Sequence, residues 1–233
     1  MKGSFLFTTA LLFVCTAHAQ YSKRIGLTIV GGANTAHYSL NKETSYNNRI
    51  TNQGNVQQFQ AGILVGIPLS KQGLLQTGLL VNGKGGKAQA SSYYSLWEQS
   101  TSKPIYLEMP ISYVYKFNIG QSFSLYAGAG IYGAIGVGGK NSYEGYYGEF
   151  YPLHIAETTK IHYGHHEGSG NGIYSSLQRF DYGFNFLGGA SFKHIQLYCK
   201  YGLGMTDVHP KGYDADMGRN RVLSYGVGYT FTL

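Results

Sequence analysis

The sequence predicts an all-β fold: a single antiparallel transmembrane β-barrel of about eight strands, following an N-terminal signal peptide. Three observations predict it. The chain opens with a secretory leader. Its later segments alternate apolar and polar residues over long runs. The connections between those segments alternate between short and long.

Lys2 gives the leader its positive start, residues 5–14 (FLFTTALLFV) its apolar run, and Ala17 and Ala19 the small residues of a cleavage site. Residues 1–19 therefore read as a signal peptide and 20–233 as the barrel domain. An apolar run of roughly ten residues is too short to span a membrane, which takes ~20. Cys15 follows Leu12-Phe13-Val14, and bulky Val14 argues against a lipoprotein processing site. Removal of the leader leaves Cys199 as the only cysteine, so no intramolecular disulfide can form.

Loss of Lys2 takes the formal charge from +7 to +6. Lys42, Arg49, Lys71, Lys84, Lys116, Arg179 and Lys200 are scattered singly, without the patch or basic helix that nucleic acid requires. Nucleic acid is therefore not an expected partner. Charged residues make up only 12 % of the chain, against 34 glycines and 22 tyrosines, a balance foreign to a helix-rich soluble enzyme. Beyond the leader no segment has the ~18 apolar residues of a membrane helix. Lipid solvates no backbone groups, so an exported chain without spanning helices can cross only as a closed barrel.

Period-2 alternation supplies the strands. From Phe59, the residues Phe59, Ala61, Ile63, Val65, Ile67 and Leu69 are all apolar, opposite Gln58, Gln60, Gly62, Leu64 and Gly66. From Ile105, the apolar set runs to Phe117, with Tyr106, Glu108, Pro110, Ser112, Val114 and Lys116 on the other face. Residues 24–34, 74–83, 123–137, 179–192, 195–205 and 223–233 read in the same way. A membrane barrel turns the apolar set to lipid and the polar, glycine-rich set to its lumen.

Short turns are expected at 70–73, 118–121 and 193–194, and long polar loops at 36–56, 87–103, 139–178 and 208–220. Outer-membrane barrels have short periplasmic turns and long external loops, and an even strand count leaves both termini periplasmic. Tyr93, Tyr94 and Trp97 beyond the third strand, and Tyr115, Phe117 and Phe123 around the second short turn, are candidates for interfacial aromatic belts.

The order and spacing of FQAGILVGIPLS (59–70), LLQTGLLVNGKGGK (74–87), YLEMPISYVYKF (106–117), SLYAGAGIYG (124–133), FDYGFNFLGGASF (180–192), LYCKYGLGMTDV (197–208) and the YGVGYTFTL end resemble the PorT-type, or "porin family", outer-membrane barrels of Bacteroidetes. The resemblance covers nearly all of residues 20–233. It implies an outer-membrane location in a Gram-negative cell, and it carries over no catalytic residue. One founding member of that group assists protein secretion, whereas this chain has an unusually long third loop.

Gly128, Gly130 and Gly133 match the dinucleotide fingerprint, but alternation runs straight through them where a strand should end and a helix begin. No cofactor is expected. The third loop gathers His154, His162, His165 and His166 with Glu157 and Glu167, yet without a metal-ligand spacing, and Tyr143, Tyr146, Tyr147, Tyr151 and Tyr163 stand in the same loop. It reads as a contact surface, not a metal site. For an enzyme, the most that assembles is His209 with Asp207 and Ser224, and GxSxG is absent. No catalytic residue is assigned, and a lipid-modifying enzyme ranks last.

Glu108, Lys116, Arg179, Asp181 and Lys200 all fall on the inward set. Charges in a narrow lumen must pair or hydrate, and side chains fill an eight-stranded barrel, so these five are expected to form a polar lumen network. The functional expectation is a structural or loop-binding barrel serving envelope transport or secretion, with a narrow solute pore as the alternative. Its partners would be outer-membrane lipid and lipopolysaccharide, the barrel-assembly machinery acting on the C-terminal strand, and an envelope protein.

Overall fold

A computed structural model describes residues 24–39, 49–91, 95–147, 153–164, 176–208 and 218–233. Among the described residues thirteen strands follow in order: β1 (Gly26–Ser39), β2 (Arg49–Gly54), β3 (Val56–Pro68), β4 (Gly73–Gly83), β5 (Gly86–Ser91), β6 (Ser95–Ile119), β7 (Phe123–Tyr147), β8 (Leu153–Lys160), β9 (His162–Tyr163), β10 (Ser176–Leu177), β11 (Phe180–Phe192), β12 (Ile195–Asp207) and β13 (Arg219–Thr232). Among the described residues no helix is long and apolar enough to cross a membrane.

Eight of these strands close a ring. Around it run β1, β3, β4, β6, β7, β11, β12 and β13, each antiparallel to the next. Closure comes from the first and last strands, which pair from Gly26↔Thr232 to Ser39↔Arg219. A ring leaves no unpaired edge within the wall, which lipid would otherwise leave unsolvated. The tight connections at 69–72, 120–122 and 193–194 lie at the same end as Arg24 and Leu233, the first and last described residues.

The wall is inside-out relative to a soluble sheet. Phe59, Ile63, Met109, Ile131, Phe184 and Leu197 are exposed, whereas Gln60, Glu108, Asn185 and Lys200 on the alternate positions are buried. A band of exposed large apolar residues around the whole ring belongs against hydrocarbon. Inward glycines make room for rings: a Cβ on Gly189 would lie 2.6 Å from the Tyr126 hydroxyl, and one on Gly136 would lie 2.2 Å from the Tyr163 ring. The glycines that match the dinucleotide fingerprint sit mid-strand in β7, with Gly130 packed against the backbone of Ile111.

The expected long loops need correction. Three of the four carry strands: β2, β5, the upper parts of β6 and β7, β8, β9 and β10. Upper β6 and β7 stay paired up to Ser95↔Tyr147, and β2, β5 and β8 extend them into a five-stranded sheet standing above the ring. Alternation does not mark these strands because water lies on the outer side, so no apolar face is required. The third loop is thus, in its described part, an extended hairpin. Residues 209–217 of the fourth loop, with Tyr93 and Tyr94, lie outside the described residues. Trp97 belongs to this upper sheet, opposite Tyr146, and not to a belt at the apolar band. Tyr115 and Phe117 do flank the lower edge, their ring centroids 4.7 Å apart.

Candidate functional site in the barrel lumen

Parity decides which side chains enter the lumen, and the pairing register sets their height. Adjacent strands thereby bring Glu108 of β6, Asp181 of β11 and Lys200 of β12 together about Lys84, just past β4. Lys84 Nζ lies 2.9 Å from Glu108 Oε2 and 3.0 Å from Asp181 Oδ2, and Lys200 Nζ lies 3.1 Å from Glu108 Oε1. All four are buried, and their two positive and two negative charges cancel.

Neutral amides add to the coordination, while Asp181 Oδ1 keeps no hydrogen-bond partner among the described residues. Asn82 Nδ2 donates to Glu108 Oε2 at 2.7 Å, and Asn220 Nδ2 donates to Asp181 Oδ2 at 3.0 Å. Asn34 in turn donates to Asn82 Oδ1 at 2.6 Å and to the Gly83 carbonyl at 2.8 Å. The Tyr132 hydroxyl donates to Asp181 at 3.2 Å, while its ring lies under Lys84 Nζ at 4.0 Å from the centroid. Buried charges are tolerable only with this density of partners.

Above this layer aromatic side chains occupy the lumen. Tyr106 packs edge-on to Tyr163, their centroids 5.9 Å apart, and Tyr163 donates to the Gly138 carbonyl at 2.7 Å. Tyr163 in turn packs against a buried apolar cluster of Tyr38, Ala88, Ile161, Leu177 and Val208. Below the charged layer, Tyr198 accepts from Gln60 at 2.7 Å and Tyr126 donates to the Leu197 carbonyl at 3.1 Å. A vestibule of ≈ 550 Å³ follows, opening at the short-turn end and lined among others by Arg24, Lys71, Gln76, Lys116 and Gln196.

Of the five residues expected in the network, the structure therefore gathers Glu108, Asp181 and Lys200. Lys116 faces the same interior but lies lower, in the vestibule. Arg179 is corrected: it stands exposed at the bend before β11, one residue short of the strand, where strand parity no longer aims its side chain. Lys84 was missed. Its signal was available, since the inward positions of β4 run through Leu80 and Asn82 to Lys84 when counted past Gly83.

The other candidate groups stay apart. Ser224 is buried beside Lys200 in the ladder, whereas Asp207 ends β12, and His209 lies outside the described residues. His154 Nε2 sits 3.2 Å from Glu144, while His165, His166 and Glu167 lie outside the described residues. Among the described residues no three His, Cys, Asp or Glu side chains gather. In the upper sheet, burial raises the Glu98 carboxyl above its ordinary range, opposed by the hydroxyl of Tyr147. Tyr143 and Tyr147 donate to it at 2.9 and 3.3 Å.

This closed, inside-out ring can be compared with known proteins. The outer membrane protein beta-barrel domain family matches residues 18–209. The chain belongs to this family. It is an outer-membrane β-barrel protein, and the exposed apolar band is its lipid-facing surface. Curated protein sequences give no match. Among solved structures it is similar to the neisserial surface protein A, NspA, with 14 % identity over 88 % of this chain and 97 % of that one, at a TM-score of 0.40. OprG of Pseudomonas aeruginosa gives 12 % identity, 91 % and 98 % coverage, and a TM-score of 0.45. Ail of Yersinia pestis gives 12 % identity, 89 % and 99 % coverage, and a TM-score of 0.38.

Proposed function

We propose that this barrel is a closed scaffold that holds a recognition sheet outside the cell, a structural and binding member of the PorT-type group. One observation carries the reading. The wall strands continue into a five-stranded sheet whose outer face aligns Trp97, Tyr146 and His154 across three neighbouring strands. The Trp97 and Tyr146 centroids are 6.0 Å apart, and Tyr146 stacks on His154 at 4.5 Å. Rigid aromatic rows of this kind make contact area at low entropic expense, and aromatic residues are enriched at binding surfaces.

In this reading the partner is an envelope protein and the service is transport or secretion. The leader is cleaved after Ala19, and the barrel-assembly machinery engages the C-terminal strand ending Tyr229-Thr230-Phe231-Thr232-Leu233. The neutralised charge layer and its apolar cover support a lumen without a continuous water path, which leaves the sheet as the working surface.

The test is photo-cross-linking in the native host. A photoreactive residue at Tyr146 should give a discrete protein adduct that Trp97→Ala abolishes, and one at Lys71 should not give it. An epitope at Gly168, outside the described residues, should be labelled on intact cells, and one at Lys71-Gln72 should not. Purified protein in planar bilayers should show no steady conductance. Reproducible conductance from the wild-type monomer would instead promote the narrow-pore reading.

A further inference from the structure

Three lysines stand side by side at the base of the upper sheet. In the pairing register Lys103 faces Lys140, and Lys140 faces Lys160. All three are exposed, and among the described residues none forms an ion pair. Directly opposite residues hold their Cβ atoms about 4.5–5.5 Å apart, and like charges so placed destabilise a sheet. Two such contacts in succession call for an anion from outside the chain.

The local backbone keeps the row on the outer surface. Ile105 pairs with Gly138 and Tyr106 with Gly136, so Val137 is the extra residue of a bulge. In a regular ladder with Val137 paired and no bulge, the outward odd positions of β7 would run on through Gly139 and Lys140 would turn inward. Its effect is to keep Lys140 on the face shared by Lys103 and Lys160.

Height supplies the second argument. Ile105 and Val137 end the apolar band of the ring's outward face, and the lysines come next along β6, β7 and β8. With the short turns periplasmic, this is the first polar level above the hydrocarbon on the outer side. Lipid phosphates lie at that level.

Chemistry supplies the third. A groove of ≈ 240 Å³ lies along the upper sheet next to the lysines, with Gln99, Thr101, Ser142, Glu144 and Thr158 in its lining. Ser142 Oγ and Thr158 Oγ1 are 3.1 Å apart in the row adjoining the lysines. Hydroxyls, an amide and the carboxylates of Glu144 and Glu157, which also lines the groove, are groups that hydrogen-bond sugar hydroxyls.

We propose that the lysine row and this groove bind the phosphorylated sugar headgroup of an outer-leaflet glycolipid. The lysines take the phosphate, and the groove takes the sugar ring. The inference rests on the outer-membrane location and not on the recognition role of the aromatic row, which the cross-linking at Tyr146 tests separately.

The experiment follows thermal unfolding of the full-length barrel refolded into zwitterionic vesicles, with and without a bisphosphorylated disaccharide lipid. The glycolipid should raise the midpoint of the wild type by at least about 2–4 °C, the response of a chain this size to a modest binding free energy. Lys103→Gln combined with Lys140→Gln should abolish that rise. In purely zwitterionic vesicles the same variant should unfold no earlier than wild type, because repulsion has been removed. Lys71→Gln, at the other rim, should leave the rise intact. No rise for wild type, a rise kept by the double variant, or an equal rise with phosphatidylglycerol would each overturn the assignment.

Discussion

Strands β6 and β7 pass through two regions that share one backbone ladder and differ in surroundings. Within the ring, residues 105–119 and 123–137 alternate exposed apolar with buried polar or small side chains. Above it, residues 95–103 and 140–147 keep the same antiparallel pairing, yet their outward face carries Gln99, Thr101, Lys103, Lys140, Ser142 and Glu144. Hydrogen bonding continues while the solvent changes. Alternation of hydrophobicity therefore reports a contrast of solvent across a sheet, and a sheet can exist without it.

The two regions should respond differently to loss of charge, and this is the largest effect expected. Glu108→Ala leaves Lys84 and Lys200 buried without their shared carboxylate, so it should destabilise the barrel by about 3–5 kcal/mol. Glu144→Gln, in a half-exposed contact with His154, should change stability by less than ~1 kcal/mol. Urea titration of the barrel in lipid vesicles measures both. Equal losses would show that the lumen and the upper sheet do not differ as described.

Polarity on the ring's two faces comes next. Phe184→Arg or Leu197→Arg, each on the lipid-facing surface, should impair membrane folding by ~2–4 kcal/mol near the midplane. Gln196→Arg points into the vestibule, where the guanidinium can hydrate, and should be milder. A greater loss for Gln196→Arg in the same titration would refute the assigned parity of β12.

Gly136 tests where the ring is sealed. Its missing Cβ accommodates the Tyr163 ring, so Gly136→Val should dislodge Tyr163 from Tyr106 and destabilise by about 1–3 kcal/mol. Near-ultraviolet circular dichroism should lose part of its tyrosine signal. An unchanged spectrum would mean that Tyr163 does not seat there.

The smallest effect belongs to the upper sheet. Because burial raises the folded-state pKa of Glu98, its contribution is fully present below the ordinary carboxylate pKa and is lost as pH rises through the raised value. Protection of the amides in residues 97–101, taken relative to the intrinsic base-catalysed exchange rate, should therefore fall modestly between acidic and neutral pH. Glu98→Gln should flatten that dependence, and an unaltered pH profile in this variant would assign it to another group.

The ring itself was legible because lipid enforces a pattern: each wall strand must offer an apolar side chain at every second position. Hence Phe59, Ile111, Phe184 and Tyr225 could be assigned outward from sequence, and they are exposed. The upper strands were hidden because no such demand acts on residues surrounded by water. The charge layer was half legible. Parity placed Glu108, Asp181 and Lys200 inside, but it could not give their heights, and at the strand margins it misled. Arg179 precedes its strand and turns outward, while Lys84 follows its strand and remains inward.

By itself, then, the sequence determined the class of solvent, the barrel and the inward face of each wall strand, because the period of a strand is a local property set by side-chain geometry. The tertiary structure decided which distant residues meet. Lys84 and Asp181 are 97 positions apart, and Lys200 and Glu108 are 92 apart. Their contacts depend on register around a closed ring, which is settled only when all eight wall strands pair at once. The lysine row has the same origin, since Lys103, Lys140 and Lys160 become neighbours only through the bulge at Val137 and the pairing of three strands.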